Sequence, residues 1–273
     1  TRSNISRLSR LLGRNESEIF QKSDEAVPDD NNFEDFLIGK VGPTLYHSFF
    51  GDYSRKWWGI EPKNLSVELA PKNLSIEEHA TYGHISTDFT STQEELYPLK
   101  GGIGTIAQRL SDRFLKAGGI LKLESDVIGM VIDGNKISSL IITKDSDEQE
   151  IPCDRILSTL PLSTLCRFLN IPFELKYRAD IYVFMSVRTD RPLLDHSWVY
   201  FHDKGLLFGR IYEPSYVSKF NVPKGFSSLC AEITCFKDDR IWTDDSIPDI
   251  VLDQLNETGF IKGGMASEIL GVT

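Results

Sequence analysis

Residues 102–107 carry the most suggestive spacing in this chain. They read Gly-Ile-Gly-Thr-Ile-Ala, which matches the dinucleotide-binding pattern G-x-G-x-x-A, and Glu124 follows at about the distance of a ribose-binding acid. The pattern needs a buried strand directly before it, whereas residues 94–100 are polar and contain Pro98. A plain turn that begins a helix is therefore the favoured interpretation, and a nucleotide-binding turn is the alternative.

Aromatic and charged side chains suited to a small-molecule pocket lie elsewhere. Four are candidates to bind substrate: Tyr53, Arg55, Trp58 and Tyr97. Binding pockets combine aromatic walls with a few polar tips, which these residue types supply. Trp57 and Trp58 cannot both face one side of a helix, so either one packs in the core and the other lines a cavity, or both serve packing. Catalytic residues stay unassigned, because the histidines are scattered.

The segment 97–165 opens with a predicted amphipathic helix. Its apolar residues recur at the spacing of one buried helical face: Ile103, Ile106, Ala107, Leu110, Phe114 and Leu115. Gly118-Gly119 is expected to end this helix, because glycine accepts the left-handed conformation of a helix cap.

Strands are predicted after that helix. A short strand is expected over residues 121–127. Gly134-Asn135 is a turn signal between residues 130–132 and 137–142, which predicts a hairpin. A last buried strand over residues 151–157 is expected to stop before Pro161, because proline has no N–H to donate to a strand ladder.

The flanking segments predict a sheet with helices on it. Helices are expected over residues 5–12, 33–38 and 45–53, and from Asp245 or Ser246 to Gly259. Strands are expected over residues 181–187, 198–201, 206–212 and 228–236, which alternate with turn signals. The fold class is therefore α/β (α+β), with a mixed or antiparallel sheet.

Two stretches resemble one family. The order glycine turn, helix, strand, hairpin and strand over residues 97–165 resembles the middle of the FAD-dependent amine oxidase and protoporphyrinogen oxidase superfamily. Residues 33–70 are similar to another part of it, through Gly42, Trp58-Gly59 and the Pro-Lys-Asn-Leu-Ser turn at residues 62–66. The resemblance covers a little over a third of the chain.

The resemblance implies that three successive parts of the chain belong to different domains. Residues 1–96 would be the helical part of a substrate domain, residues 97–165 the central segment of the FAD-binding domain, and residues 166–273 the sheet and helix of the substrate domain. The family's first FAD-binding turn, G-x-G-x-x-G, is not visible, so the chain is expected to be an internal fragment. FAD would belong to the parent protein. The positions that match cofactor-contacting residues are Val127, Ser158, Thr159, Pro161, Gly101 and Gly102.

The resemblance also implies a reaction. The parent protein would be an FAD-dependent oxidoreductase that oxidises a small organic substrate by hydride transfer to flavin, and the isolated chain would be inactive and bind FAD poorly. One alternative is a flavin-dependent isomerase similar to UDP-galactopyranose mutase. Another alternative is a non-catalytic binding module.

Composition limits the partners. The chain has 273 residues, with 40 Asp and Glu against 30 Lys and Arg, a formal net charge of -10. Such a surface does not suit nucleic acid, which needs clustered cations. No apolar run reaches the roughly 20 residues that span a bilayer.

The four cysteines lack the spacing of a zinc site, so no metal is expected. Isolated thiols fit a reducing cytoplasm. The oligomeric state is left open.

Overall fold

The structure is a computed structural model that describes residues 31–70, 74–76, 85–87, 96–189, 191–194, 197–259 and 267–272. The helix predicted over residues 5–12 lies outside these residues. The helices, in chain order, are α1 (Phe33–Val41), α2 (Pro43–Leu45), α3 (Gly51–Trp58), α4 (Gly104–Lys116), α5 (Leu162–Phe168), α6 (Pro214–Val217) and α7 (Ile247–Glu257), with a π-helical turn, Tyr46–Phe50, between α2 and α3. Short 3-10 turns are Pro62–Asn64, Val67–Leu69, Lys219–Asn221 and Arg240–Thr243.

The strands form three antiparallel sheets. In chain order they are β1 (Leu74–Ile76), β2 (Ile85–Thr87), β3 (Asp126–Asp133), β4 (Lys136–Lys144), β5 (Asp147–Pro152), β6 (Ala179–Arg188), β7 (Trp198–Tyr200), β8 (Arg210–Tyr212), β9 (Phe226–Cys235) and β10 (Ser267–Val272). One sheet pairs β1 with β2, one has the order β3-β4-β5, and the largest has the order β10-β6-β9-β8-β7. Helices with antiparallel sheets agree with the predicted α+β class.

The chain folds as two compact units. Unit 1 comprises residues 1–102 and 178–273, and unit 2 comprises residues 103–177. The roles assigned to residues 1–96, 97–165 and 166–273 stay predictions.

Unit 1 is built on the five-stranded sheet and helix α7. Residues of β6 and β9 alternate between the two sides of the sheet, as strand geometry requires. On one side Val183, Met185 and Leu229 are fully buried against Val251 and Leu255 of α7. Apolar burial on this side stabilises the unit, at about 25 cal/mol for each Å² removed from water.

A second cluster in unit 1 holds helices α1 to α3 together. It contains Phe33, Leu37 and Val41 of α1 with Leu45 and Tyr46. The side chain of Asn32 caps α1 by accepting from the N–H of Asp35 at 3.0 Å. The helix, glycine and second-helix order predicted for residues 33–53 is confirmed.

Helix α3 ends against the largest sheet. The hydroxyl of Thr234 in β9 donates to the carbonyl of Lys56 at 2.8 Å, and the guanidinium of Arg178 donates to the carbonyls of Trp57 at 3.1 Å and Lys56 at 3.3 Å. These bonds satisfy carbonyls that the end of a helix leaves without partners. The helix is therefore fixed over one end of the sheet, on the side away from α7.

Two predictions in unit 1 need small corrections. The strand expected over residues 206–212 is only β8, because residues before it turn through Gly205 and the N–H of Leu207 bonds the side chain of Gln254 at 2.8 Å. Helix α7 begins as expected after Ser246, which occupies the N-cap position, but the Ser246 side chain makes no capping bond to the helix. Asp244 accepts from the N–H of Ser246 at 3.0 Å instead.

Unit 2 contains the hairpin predicted around Gly134-Asn135, which is confirmed as β3 and β4, with β5 beside β4. The strand expected over residues 121–127 starts only at Asp126. The strand expected over residues 151–157 is wrong beyond Pro152, because no strand in the described part of the chain pairs with residues 153–161, and Leu157 is 95% exposed.

Helix α4 confirms the predicted amphipathic helix but not its burial. Residues 96–103 contain no strand, so the pattern at residues 102–107 is the turn at the start of a helix rather than a dinucleotide-binding strand and turn. The expected buried face is open: Leu110 is 62% exposed and Phe114 51%. Within unit 2, whose residues are all described, nothing covers this side of the helix.

Candidate substrate-binding face

The side of the largest sheet that faces away from α7 carries two rows of side chains. Strand register places one row across four strands: Tyr182, Glu232, Arg210 and Tyr200. It places the next row beside the first: Phe184, Cys230, Tyr212 and Trp198. Side chains directly opposite on neighbouring strands lie within contact distance. We call these eight residues the aromatic face.

A charge pair lies in the middle of the first row. Arg210 donates to both carboxylate oxygens of Glu232, from Nε and Nη2, at 2.6 Å each. Glu232 is only 4% exposed, and the ring of Tyr200 lies 6.0 Å from the guanidinium carbon. Burial by itself lowers the pKa of Arg210, but the bond to Glu232 outweighs burial and the pKa is raised. The two bonds therefore fix the Arg210 guanidinium, as a cation, against Glu232 in the middle of the face.

The second row carries a buried thiol beside a tyrosine. Burial raises the pKa of Cys230 to about 12, although the bond to Tyr212 acts in the opposite direction. Burial, followed by the bond to Cys230, also raises the pKa of Tyr212. Both groups are thus protonated near neutral pH. A thiol needs to be a thiolate to act as a nucleophile, so Cys230 is suited to packing and weak hydrogen bonding.

Helix α3 supplies an aromatic border to the face. The ring of Tyr53 meets that of Tyr200 edge-on at 5.4 Å and stacks on that of Trp57 at 6.1 Å. Burial, then the neighbouring Tyr200, raises the pKa of Tyr53, so its hydroxyl is a neutral donor and acceptor. The predicted substrate residue Tyr53 therefore lies at the edge of the aromatic face.

The other predicted substrate residues have different neighbours. Arg55 forms ion pairs with Asp52 at 2.5 Å and Glu61 at 2.7 Å. Trp58 packs edge-on against Phe33 in the helical cluster, with ring centroids 6.4 Å apart. The structure does not bring Arg55 or Trp58 to the aromatic face, and their part in substrate binding stays a prediction.

Tyr97 lies beside the turn at Asn221. Its hydroxyl accepts from the side-chain amide of Asn221 at 3.4 Å, and its side chain is partly exposed. Two residues further along the chain, the carbonyl of Leu99 accepts from the hydroxyl of Ser218 at 2.8 Å. These bonds fix the chain just before the Gly101-Gly102 turn.

Sequence reasoning found the strands of the aromatic face but not its residues. In β6, Tyr182 and Phe184 alternate with buried aliphatic residues, and in β9 Cys230 and Glu232 do the same. A charged or aromatic residue at every second position of a buried strand is a usable signal. The pairing of Arg210 with Glu232 needed the register of β8 on β9, which the sequence does not state.

The predicted cofactor residues of unit 2 lie at a strand start and a turn. Val127 precedes a bulge in β3, where the register shifts between Val127 and Gly129, so the backbone between them leaves the ladder. The hydroxyl of Ser158 accepts from the N–H of Leu160 at 3.3 Å, and Thr159 beside it is exposed.

Pro161 and the two glycines complete the predicted set. Pro161 precedes the first residue of α5 and is exposed. In unit 1, Gly101 has a φ of 81° and Gly102 a φ of 64°, a left-handed conformation that favours glycine. A Cβ on Gly102 would meet no atom nearer than the Tyr97 hydroxyl at 3.7 Å, so that turn leaves room for a neighbour.

Comparison with known proteins identifies the family. Residues 7–257 match the family described as flavin containing amine oxidoreductase. The chain belongs to this family. The resemblance proposed from residues 33–70 and 97–165 is thereby confirmed, and the protein is a flavoprotein of the amine oxidoreductase family.

Individual relatives include both mutases and oxidases. A stretch of 51 residues, 19% of this chain and 14% of the relative, is 40% identical to dTDP-fucopyranose mutase of Escherichia coli. A solved structure of reduced UDP-galactopyranose mutase is similar with a TM-score of 0.63 at 17% identity, over 89% of this chain and 55% of that one. A putative protoporphyrinogen oxidase from Exiguobacterium sp. 255-15 is similar with a TM-score of 0.63 at 13% identity, over 94% of this chain and 57% of that one. The chain thus spans little more than half the length of these structures.

Family membership implies a flavin, and the residues of unit 2 are compatible with one. The bulge after Val127 takes backbone groups out of the strand ladder, and Ser158, Thr159 and Pro161 form a small polar turn. Their contact with the cofactor stays a prediction. In the described ranges, no helix is both long and apolar enough to cross a membrane. Within the same ranges, no group of three or more potential metal-binding side chains occurs.

Proposed function

We propose that the protein uses FAD to oxidise a small organic substrate, which binds on the aromatic face. The arrangement of the face supports this proposal: five aromatic rings in two rows lie around the paired charges of Arg210 and Glu232. Apolar walls with few polar groups are typical of small-molecule sites. The flavin, when bound, supplies the hydride-accepting chemistry, and the protein binds and orients the substrate.

The proposal gives each part of the face a task. Tyr200 and Tyr212 would stack on the substrate, since aromatic rings remove apolar surface from water and prefer defined ring geometries. Arg210 and Glu232 would hold the floor of the face rigid. Tyr53 would border the substrate and offer a neutral hydroxyl.

The dinucleotide would be contacted by residues outside the face: Val127, Ser158, Thr159, Pro161 and the turn of Gly101 and Gly102. The four isolated thiols, all free, agree with a cytoplasmic protein.

Anaerobic reduction of the full-length protein tests the proposal. A panel of amines and cyclic organic compounds is added to the flavin-loaded protein, and loss of oxidised-flavin absorbance is followed. Tyr200→Ala should raise the substrate concentration needed for half-maximal reduction by about fivefold or more, because a stacked ring contributes about 1 kcal/mol or more. The control Trp242→Ala, outside the face, should not. A protein purified without flavin would instead favour the non-catalytic alternative.

A mutase is the second candidate, because one curated relative is a mutase and another mutase is among the similar structures. In this case the flavin would return to its starting state after each turnover, with no acceptor consumed. Incubation of the reduced protein with UDP-galactopyranose, followed by chromatography of the sugar nucleotide, separates the two candidates. An isomeric product formed without an external acceptor would replace the oxidoreductase proposal.

A further inference from the structure

The cations around the aromatic face are already engaged. Arg210 is held by Glu232 through two bonds, and the amine of Lys56 donates to the carbonyls of Asp203 at 2.5 Å and Phe208 at 3.1 Å. Arg178 bonds the end of α3. An anionic ligand would have to take one of these cations away from its present partners.

The position of Glu232 makes that exchange costly at the centre of the face. Its carboxylate is almost completely buried, whereas the Arg210 side chain is 30% exposed. A ligand phosphate that drew Arg210 away would leave a buried carboxylate without its cation, which is strongly unfavourable. Asp180 lies two residues before Tyr182 on β6 and places a second carboxylate on the same side of the sheet. Burial, followed by the charge of Glu232, raises the pKa of Asp180.

We propose that Glu232 is a specificity-determining residue: by neutralising Arg210, it makes the aromatic face select uncharged, ring-bearing ligands and reject phosphorylated ones. This inference rests on the proposed use of the face as the substrate site. Stacking on Tyr200, Tyr212 and Trp198 then supplies most of the binding free energy. The same guanidinium would become a phosphate ligand if Glu232 lost its charge, because a free guanidinium forms forked bonds with phosphate oxygens.

The inference is tested by binding of uridine and UDP, which share a ring and differ in charge. Trp57 and Trp198 lie at the face, so tryptophan fluorescence reports binding to the purified chain. The wild-type chain should bind UDP no better than uridine. In Glu232→Gln, which keeps the side-chain shape, the affinity for UDP relative to uridine should rise by about tenfold or more, as one charge-assisted hydrogen bond would give.

Two further variants test whether the gain in UDP affinity is specific to the Glu232 position and depends on Arg210. Glu257→Gln changes the net charge by the same amount on α7, which packs on the opposite side of the sheet, and should leave the ratio unchanged. Glu232→Gln combined with Arg210→Met should lose the gain. Circular dichroism establishes that each variant is folded.

Two results would overturn the inference. One is a folded Glu232→Gln chain that gains no preference for UDP. The other is a wild-type chain that already prefers UDP through Arg210, which would favour the mutase candidate. Neither result depends on turnover. Failure of the full-length protein to oxidise any substrate would therefore count against the proposed function and leave this binding result intact.

Discussion

Glu213 shows how strongly one side chain can hold an irregular segment in place. It is fully buried, and its carboxylate accepts from the N–H groups of Leu193 and Leu194 at 3.0 and 2.8 Å. The hydroxyls of Ser215 and Ser227 also donate to it, at 3.0 and 2.5 Å. Four donors satisfy an anion that burial alone would make unfavourable. The segment before β7 is thereby fixed to the end of β8.

Replacing Glu213 by leucine should therefore destabilise the chain. Two backbone N–H groups would lose their acceptor inside the protein, and each such loss costs about 1 to 3 kcal/mol. We expect the free energy of unfolding in urea to fall by about 3 kcal/mol or more. Glu257→Leu, at an exposed site, is the control. Equal urea midpoints for the two variants would contradict the assigned role of Glu213.

Lys56 is expected to make the free energy of unfolding depend on pH in the alkaline range. Burial lowers the pKa of its amine to about 8, against an ordinary value of 10.5. Between these two values the unfolded chain holds a proton that the folded chain has lost. The contribution of this group to the free energy of unfolding therefore rises with pH from about 8 to 10.5 and is smallest below pH 8.

The expected effect is measured as a difference between variants. The stability of wild type minus that of Lys56→Met should increase by about 1 to 2 kcal/mol between pH 7 and pH 10, after allowance for partial water access to the amine. Urea unfolding at several pH values gives the comparison. The same series with Lys63→Met, at an exposed lysine, should be flat. A flat series for Lys56→Met would show that the amine is not desolvated in solution.

At the scale of elements, the end of α3 depends on one glycine. Gly59 has a φ of 65°, and a Cβ there would lie 2.4 Å from Nη1 of Arg178 and 2.8 Å from the Phe236 ring. Arg178 itself lies over that ring, at 4.3 Å from its centroid. A side chain at this position would therefore displace the guanidinium that bonds the last carbonyls of the helix.

Gly59→Ala should cost about 2 to 3 kcal/mol of folding free energy, from backbone strain of about 1 kcal/mol plus displacement of Arg178. Gly259 provides a matched control, because it also follows a helix with a φ of 77° but has no atom within 4 Å of an added Cβ. Gly259→Ala should show the strain alone, about 1 kcal/mol. Thermal unfolding of both variants measures the difference. Equal losses would mean that Arg178 moves without cost.

Elements were predictable where periodicity is strong and partners are close in sequence. Helix α4, the hairpin at Gly134 and the long strands β6 and β9 follow from local patterns. Residues 153–157 end in the apolar pair Ile156-Leu157, which favours a strand. A strand also needs a neighbour to pair with, and the local sequence does not show which neighbour is present. Burial of α4 failed as a prediction for the same reason.

The candidate site depended on long-range pairing. Tyr53 was predictable as an aromatic side chain with a polar tip. The charge pair brings together Arg210 and Glu232, which are 22 residues apart and lie on neighbouring strands. Local spacing says nothing about such a contact, whereas the alternation of residue types along β6 and β9 is a signal that could have separated the two sides of each strand.

At the scale of the whole molecule, we expect the isolated chain to bind FAD weakly. A ligand site normally buries most of the ligand surface, and Thr159 and Pro161 are exposed. Titration with FAD, followed by flavin absorbance and tryptophan quenching, should show no stoichiometric complex. Tight binding by this chain alone would mean that its own residues complete a flavin site, and our assignment of only partial contacts would be wrong.

The exposed apolar side of α4 should also affect the self-association of the purified chain. It exposes the large apolar side chains of Ile103, Leu110 and Phe114 to water, while the net charge of -10 keeps copies of the chain apart by repulsion. Added salt screens that repulsion and leaves the apolar attraction intact. The chain should therefore bind hydrophobic dyes, adhere to phenyl resins and form reversible clusters as ionic strength rises, so dilute buffer of low salt is the natural medium for its study.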